Sequence, residues 1–313
     1  MLTTYLQRHG YNAAEISGAL YKLRTAADVG QVGFVEAKRR VYELLRYGVQ
    51  VKPTVDQPSS SVALIDWQQP DNNDFTIAEE VTLRGPRQRR PDLVLYVNGI
   101  AIGVIELKRS RVSLGEGIRL NLSNQQPEFN AWFFATNQLV LAGNDSEGLR
   151  YGAIQTPQKY FLSWKEDEAD HSQLKLSKFL LKFYRKDRLI ELMRDFVLFD
   201  GGSKKLPRVH QYFGIKAAQA FIRRREGGII WHTQGSGKSL VMVLLARWIL
   251  ANNSNARVVI ITDRDELDKQ IESVFAVTGE PIQRNRSASD LIQALSQPQP
   301  RLLCSVVHKF GAR

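Results

Sequence analysis

Hydrophobic positions change their spacing along the 313-residue chain, and each spacing predicts a different kind of element. In residues 34–49 apolar side chains recur every three or four positions, so the first 50 residues are predicted to be helical. Residues 62–107 form short apolar or alternating runs typical of strands, residues 115–124 a helix, and residues 131–143 strand again. After residue 227, beginning with the strand-like GGIIWHT, strands and helices alternate, which predicts a parallel α/β sheet.

This pattern and the chain length predict two domains, residues 1–185 and residues 186–313, with a Gly-Gly-Ser-Lys-Lys turn or linker at 201–205. Composition narrows the classes of function. A single cysteine, Cys304, excludes a disulfide scaffold and a thiolate zinc site. Neither a signal peptide nor an apolar run of membrane-spanning length is found, so we expect a cytoplasmic protein with no membrane partner. The net charge of +11 favours a polyanionic partner such as nucleic acid.

Two carboxylates and a lysine stand at the ends of neighbouring predicted strands in RRPDLVLYVNGIAIGVIELKRS. Asp92 precedes the first strand, while Glu106 and Lys108 end the second, two residues apart and therefore on one face. Carboxylates placed in this way can hold Mg²⁺. The lysine can orient a water or stabilise the charged phosphorane during phosphodiester hydrolysis. The alternative is a surface hairpin with charged ends.

The pairing register of this hairpin decides whether Asp92, Glu106 and Lys108 lie on the same face. The Asn-Gly pair at 98–99 predicts a hairpin. In a regular ribbon with a two-residue loop, Asp92 and Glu106 lie on opposite faces. A catalytic site therefore requires either a three-residue loop ending at Gly99 or a bulge near Gly103.

Four arginines stand within seven residues just before these strands, where they can contact the phosphates of DNA. The alternative interpretation is a solvated loop. The four residues are Arg84, Arg87, Arg89 and Arg90.

A phosphate-binding loop is indicated by IIWHTQGSGKSLVMV, where a Gly-Ser-Gly-Lys-Ser turn follows an apolar run and opens a predicted helix. Backbone N–H groups would surround the phosphates, Lys238 would reach the β- and γ-phosphates, and Ser239 would ligate Mg²⁺. The strict pattern has a glycine where His232 stands, a departure that helicase-type loops tolerate. The predicted nucleotide site comprises Gln234, Gly235, Ser236, Gly237, Lys238 and Ser239.

Both sites and the segments around them resemble the restriction (R, or motor) subunit of type I restriction enzymes. The resemblance runs in order through VYELLRYGVQVKP, PDLVLYVNGIAIGVIELK, LSNQQPEF, NQLVLAGNDSEGLRYG, IIWHTQGSGKS, ITDRDELDKQ and SVVHKF. It maps the nuclease acids and lysine of that family onto Asp92, Glu106 and Lys108, and its phosphate loop onto residues 234–239. Gln211 resembles the upstream glutamine of helicases that contacts adenine; its alternative is an ordinary exposed glutamine.

The resemblance implies a PD-(D/E)xK nuclease-like mixed-sheet domain in residues 1–185 and a partial RecA-like lobe in residues 186–313, ending before its Walker-B acids. It implies Mg²⁺ and ATP as cofactors and, as partners, double-stranded DNA and the modification and specificity subunits. The implied activity is DNA cleavage coupled to ATP-driven translocation. The alternatives are a helicase–nuclease of DNA repair and a DNA-binding module with an inactive nuclease.

One position departs from the pattern of the resembled nucleases, which often carry a glutamine on the helix after the lysine-bearing strand. Leu120 stands twelve residues past Lys108 in this chain. Gln125 and Gln126 are the candidates to replace that glutamine.

Overall fold

The computed structural model describes residues 1–53, 58–166, 169, 174–266, 269, 271–272, 275, 282–285 and 287–310. It divides into two compact units, Met1–Arg194 with Gly202–Leu206, and Asp195–Gly201 with Pro207–Arg313. The predicted domain boundary at residues 185 and 186 lies just before a helix, Lys186–Asp195, most of which belongs to the first unit.

Helices occupy the N-terminal residues, as the apolar spacing predicts. They are α1 (Leu2–Arg8), α2 (Ala13–Ala26), α3 (Val29–Val32) and α4 (Phe34–Tyr47), followed by the antiparallel strands β1 (Val49–Val51) and β2 (Ser60–Val62). Helix α2 starts with a capping box, in which the side chain of Asn12 accepts from the N–H of Glu15 and the Glu15 carboxylate accepts from the N–H of Asn12. Helix α4 ends at Gly48, whose φ of 79° favours glycine.

A six-stranded mixed sheet organises the first unit. Its strands are β3 (Phe75–Glu79), β4 (Leu93–Val97), β5 (Ile100–Leu107), β6 (Leu139–Asn144), β7 (Gly148–Gly152) and β8 (Leu162–Ser163), in that order across the sheet. Neighbouring strands are antiparallel except β5 and β6, which are parallel. A parallel pair needs a crossover connection. Here α5 (Leu114–Asn124) and α6 (Ala131–Phe134) lie in that connection, so the strand predicted from residue 131 begins only at Leu139.

Helix α5 covers one face of this sheet and forms its core with alternate strand residues. The apolar side chains buried there belong to Leu83, Val94, Ala101, Val104, Leu114, Ile118, Phe134, Val140, Ala142, Ile154 and Phe161. Two further helices of the unit follow the sheet, α7 (Lys175–Phe183) and α8 (Lys186–Asp195). Short strands β9 (Leu198–Asp200) and β10 (Ser203–Lys205) come next along the chain.

The second unit contains the parallel sheet that the alternating pattern predicts. Its strands β11 (Val258–Thr262), β12 (Ile282–Arg284) and β13 (Leu302–Val306) pair in the order β11-β13-β12, and all are parallel. Its described helices include α9 (Val209–Arg223), α10 (Lys238–Asn252) and α11 (Ala288–Ser296).

The strand predicted at GGIIWHT is wrong for this structure. Residues 227–233 carry no regular secondary structure, and the side chains of Ile229 and Trp231 are each 89% exposed. A strand exists only when a neighbour accepts and donates its backbone hydrogen bonds, and no strand in the described part of the chain pairs with this segment.

No helix in the described residues is long and apolar enough to span a lipid bilayer.

Candidate active site

The hairpin predicted from the Asn-Gly pair is formed by β4 and β5, and it turns through two residues. Asn98 (φ 54°) and Gly99 (φ 82°) both adopt left-handed backbone conformations, and Val97 pairs with Ile100. The buried Asn98 side chain anchors the turn by accepting from the N–H of Asp74 at 2.8 Å. The alternative three-residue loop is therefore not formed.

A bulge in β5 restores the parity that the carboxylates need. Tyr96 pairs with Ala101, whereas the preceding residue, Leu95, pairs with Gly103. Ile102 is thus the extra residue on the bulged strand. Each later residue of β5 therefore pairs one position further along β4 than in a regular ribbon, which changes the residues that share a face. The predicted bulge near Gly103 is confirmed.

Beyond the bulge, Asp92 and Glu106 stand opposite each other. Leu93 pairs with Ile105, so the next register position places the two acids side by side on the face covered by α5. The Nζ atom of Lys108 lies 3.8 Å from Oδ2 of Asp92 and 3.6 Å from Oε2 of Glu106. The prediction that these side chains share one face is confirmed; their catalytic role stays a prediction.

Hydrogen bonds to the backbone of Leu107 hold the side chains of Asp92 and Lys108 in place. Oδ2 of Asp92 accepts from the N–H of Leu107 at 2.6 Å, which ties the end of β5 to the start of β4. The ammonium of Lys108 also donates to the carbonyl of Leu107 at 3.0 Å. The lysine therefore has its charge directed at both carboxylates and at a neighbouring carbonyl oxygen.

Burial separates the two acids electrostatically. The side chain of Glu106 is 1% exposed, whereas that of Asp92 is 39% exposed. Burial and the charge of Asp92 raise the pKa of Glu106 to about 8, against the opposing effect of Lys108. Without a cation, Glu106 therefore holds a proton near neutral pH.

Two carboxylates and an adjacent carbonyl form an oxygen-rich donor set that fits Mg²⁺. The described residues contain no group of three or more His, Cys, Asp or Glu arranged for a metal. Mg²⁺ needs no such group, because it usually binds one or two protein carboxylates and keeps several waters. Asp92 and Glu106, with the carbonyl of Leu107 beside them, are the groups that would hold it.

Helix α5 approaches the cluster closely because a glycine faces it. A Cβ atom at Gly117 would lie 3.2 Å from Cβ of Ala142, 3.4 Å from Cγ of Lys108 and 3.5 Å from Cβ of Glu106. At the last residue of the helix, Nδ2 of Asn124 donates to Oε1 of Glu106 at 3.5 Å. Sequence reasoning missed Asn124, whose only signal was its position seven residues after Gly117 on the same helical face.

Neither glutamine proposed to replace the usual one reaches the carboxylates. The side chain of Gln125 donates to the carbonyl of Asn121 and accepts from the N–H of Gln155. The exposed side chain of Gln126 donates to the carbonyl of Leu122. Both candidates are wrong for this structure, because their amides are used by neighbouring backbone groups.

Three of the four arginines before β4 lie on a short loop closed by backbone hydrogen bonds between Leu83 and Arg89, and Arg90 directly follows this loop. Arg84 and Arg87 are exposed, and the Arg89 guanidinium stacks 3.9 Å from the ring centre of Phe129. Arg90 forms an exposed ion pair with Glu80 at 3.4 Å. The loop thus presents positive charge, and its contact with DNA stays a prediction.

In the second unit, the phosphate loop has the backbone that its glycines predict. Gly235 (φ 75°) and Gly237 (φ 81°) are left-handed, and α10 begins at Lys238 with its first N–H groups unbonded within the helix. Nζ of Lys238 donates to the carbonyls of His232 and Thr233, at 3.2 and 3.0 Å. The lysine thus binds the loop itself.

Gln211 lies against this loop and is buried, which argues against an ordinary exposed glutamine. Its Nε2 atom donates to the carbonyl of Ser236 at 2.8 Å, and its Oε1 atom accepts from the N–H of Arg208 at 2.8 Å. An adenine contact would require Gln211 to exchange these partners, so that role stays a prediction.

Two family models match the chain. The model described as the N terminus of type I restriction enzyme R proteins matches residues 2–159, which is half of the chain and includes Asp92, Glu106, Lys108 and α5. The chain belongs to this R protein family. The second model, described as a SWI2/SNF2 ATPase, matches residues 210–313 of the R protein chain, including the phosphate loop.

Curated relatives extend the match through both units. The HindI type I restriction enzyme endonuclease subunit of Haemophilus influenzae is 30% identical over 283 residues, covering 82% of this chain and 26% of the relative. The putative MjaIXP type I endonuclease subunit of Methanocaldococcus jannaschii is 25% identical over 333 residues, covering 94% of this chain and 32% of the relative. This R protein chain thus spans about a quarter to a third of the length of these relatives.

Proposed function

We propose that the first unit of this R protein is a Mg²⁺-dependent nuclease of the PD-(D/E)xK type that hydrolyses phosphodiester bonds in double-stranded DNA. The observation that carries this proposal is the bulged hairpin that brings Asp92, Glu106 and Lys108 onto one face. The names of the curated relatives, which are endonuclease subunits, support the same assignment.

Each side chain has a chemical task that follows from its surroundings. Asp92, open to solvent on one side, and the buried Glu106 would supply the carboxylate oxygens for Mg²⁺. When bound, Mg²⁺ neutralises phosphate charge and lowers the pKa of a bound water. Lys108 can only donate hydrogen bonds, so it would orient the attacking water or stabilise the charge that develops on the phosphate oxygens.

For the second unit, the proposal is an ATP-driven motor that translocates double-stranded DNA when the R protein is assembled with modification and specificity subunits. The match to SWI2/SNF2 ATPases supports the motor, and the relatives' names support the assembly. The predicted nucleotide contacts are the loop residues 234–239 and Gln211, with Ser239 for Mg²⁺.

The test is nicking of supercoiled plasmid by the 313-residue chain at fixed Mg²⁺. We expect Glu106→Gln to abolish nicking and Lys108→Met to reduce it by about 10²-fold or more, the loss typical of a donor to developing charge. Glu116→Gln, an exposed acid on α5, is the matched control and should nick like the unchanged chain. Equal nicking by Glu106→Gln and Glu116→Gln would refute the proposal.

A second candidate is a DNA-binding module whose nuclease is inactive, and Leu120 is the observation that favours it. Leu120 is partly exposed and offers no amide where the resembled nucleases often have one. This candidate predicts Mg²⁺-independent DNA binding without nicking at any Mg²⁺ concentration. The plasmid assay therefore separates the two candidates.

A further inference from the structure

Three residues of one face of α5 meet strands β5 and β6. Gly117 lets the helix approach, Asn121 donates to the carbonyl of Leu141 at 2.7 Å, and Asn124 donates to Glu106. Their spacing of four and then three residues places them on one side of the helix. Gly117 and Asn124 border the acid–lysine cluster from the helix side, whereas Asn121 contacts β6, outside the cluster.

Asn124 differs from the other buried amides of this region in what it contacts. Asn121 binds a strand carbonyl, and Gln125 bonds backbone groups through both amide atoms, so these two have structural partners. The side-chain partner that the structure gives to Asn124 is the Glu106 carboxylate. Its own Oδ1 atom is buried without a hydrogen-bond partner among the described residues, as are the Oδ1 atoms of Asn121, Asn130 and Asn137.

Burying an amide with half of its hydrogen-bonding capacity unused costs stability, by about 1–3 kcal/mol for each unmet group. Asn124 is only 1% exposed, and an apolar side chain of similar size would fill the same space without that cost. The feature that distinguishes Asn124 from the neighbouring buried asparagines is therefore its contact with the Glu106 carboxylate, and not its unpaired oxygen.

The two oxygens of Glu106 have separate neighbours. Oε1 faces Nδ2 of Asn124 at 3.5 Å, while Oε2 faces Nζ of Lys108 at 3.6 Å, and the same Nζ atom lies 3.8 Å from Oδ2 of Asp92. An amide N–H can donate to a carboxylate but cannot ligate a cation. The Asn124 amide thus binds Oε1 of Glu106 and leaves Oε2 on the side of Lys108 and Asp92.

We propose that Asn124 is a positioning residue: it holds Oε1 of Glu106 and so orients the carboxylate to present Oε2, together with Asp92, to Mg²⁺. This inference rests on the proposed nuclease function. It also answers the departure at Leu120, because Asn124 supplies an amide from α5 to the acidic cluster one helical turn later.

The test compares Asn124→Leu with Asn121→Leu, two buried asparagines on one helical face. Two quantities are measured in the 313-residue chain: the Mg²⁺ concentration for half-maximal plasmid nicking, and the rise in melting temperature that Mg²⁺ produces by binding the folded state. We expect Asn124→Leu to raise the half-maximal Mg²⁺ concentration roughly tenfold, as loss of a group that orients a metal ligand does. The Mg²⁺-induced rise in melting temperature should shrink with it.

Asn121→Leu should lower the melting temperature, because the Leu141 carbonyl loses its donor, and should leave the half-maximal Mg²⁺ concentration unchanged. If Asn124→Leu does not fold, Asn124→Ala is measured in its place. An unchanged Mg²⁺ requirement in a folded Asn124 variant, while the unchanged chain nicks, overturns the positioning role and leaves the nuclease proposal standing. Absence of Mg²⁺-dependent nicking and Mg²⁺ binding in the unchanged chain overturns both.

Discussion

Because the Glu106 carboxylate is buried, its negative charge must be compensated by a proton, by the Lys108 ammonium or by a divalent cation. Nζ of Lys108 lies 3.6 Å from Oε2 of Glu106 and compensates its negative charge only in part, so the pKa of Glu106 stays raised, at about 8. A cation held between Asp92 and Glu106 would compensate the same charge at closer range. We infer that the metal-free site is protonated near neutral pH and that Mg²⁺ binding displaces this proton.

The first prediction is a pH-dependent stability that disappears in Glu106→Gln. The pKa of Glu106 is about 8 in the folded chain against an ordinary value of 4.5, so the folded state binds a proton that the unfolded chain releases. In EDTA, the stabilisation from this proton should be complete below about pH 4.5 and lost as the pH rises through about 8. Denaturant unfolding across this range measures the decline.

Added Mg²⁺ should restore the stability of the unchanged chain above neutral pH, because the ion binds the deprotonated carboxylate. Glu116→Gln should keep the full pH profile, since that acid is exposed. A decline in Glu106→Gln as steep as in the unchanged chain would assign the pH dependence to another group.

At the scale of elements, the sequence predicted the hairpin and the need for one of two irregularities, a three-residue loop or a bulge, because both follow from local rules of turn chemistry and strand parity. The sequence could not decide whether the extra residue is Ile102 in β5 or a third residue in the turn. The choice between them depends on contacts distant along the chain. Among these, buried Asn98 binds the backbone of Leu64 and Asp74 and so fixes the two-residue turn.

Two other features escaped the sequence for the same reason. Asn124 meets Glu106 only because α5 crosses from β5 to β6 above the sheet, and no local pattern encodes that crossing angle. The GGIIWHT segment has the composition of a strand, but a strand also needs a hydrogen-bonded neighbour, which residues 227–233 do not have in the described structure.

The second prediction concerns the close approach of α5. Replacing a mid-helix glycine by alanine ordinarily stabilises a helix by about 1 kcal/mol. In Gly117→Ala, however, the new methyl group would lie 3.2 Å from Cβ of Ala142, which must give way, and would be in van der Waals contact with Lys108 and Glu106. We expect little change in melting temperature but roughly tenfold slower nicking, because small displacements of catalytic groups are costly.

The double variant Gly117→Ala with Ala142→Gly removes the nearest opposing methyl group and should recover most of the nicking rate. Normal nicking by Gly117→Ala alone would show that the helix-to-strand distance does not control the site.

The third prediction concerns the arginine loop. Arg84 and Arg87 are exposed, and of the two guanidinium groups over the Phe129 ring that of Arg89 is the closer, at 3.9 Å against 5.7 Å for Arg87. The double variant Arg84→Ala with Arg87→Ala therefore removes two charges and keeps the closer ring contact. If both arginines contact phosphates, the slope of log K against log salt should fall by about 0.9 for each lost contact. Equilibrium DNA binding in EDTA at several salt concentrations measures it.

Arg24→Ala, an exposed arginine on α2, controls for the change in net charge and should leave the slope unaltered. Equal slopes for the arginine-loop variant and the unchanged chain would identify the loop as solvated surface.

At the scale of the whole molecule, the chain carries two candidate phosphate sites in separate compact units. The first unit carries the acid–lysine cluster within the R protein match, and the second carries the phosphate loop within the SWI2/SNF2 match. A net charge of +11 suits a protein whose proposed substrates, DNA and ATP, are both polyanions. The two activities should therefore be separable by point variants in one unit or the other.

The last prediction is that these 313 residues bind ATP weakly and do not hydrolyse it in response to DNA. Nucleotide must displace Lys238 from the loop carbonyls before the lysine can reach phosphate. Hydrolysis further requires an acid for Mg²⁺ and an arginine at the transition state, worth about 10³–10⁵ in rate. The nearest acids after Lys238 that the structure describes, Asp263 and Asp265, instead form ion pairs with Arg264 and Arg284.

ATP turnover with and without duplex DNA measures this, with Lys238→Ala as the control that removes the phosphate contact. We expect the two proteins to show the same background turnover, unaffected by DNA, while plasmid nicking by the first unit persists in both. DNA-stimulated turnover that disappears in Lys238→Ala would contradict the prediction. It would mean that acids within this chain leave their arginine partners to complete the ATPase site.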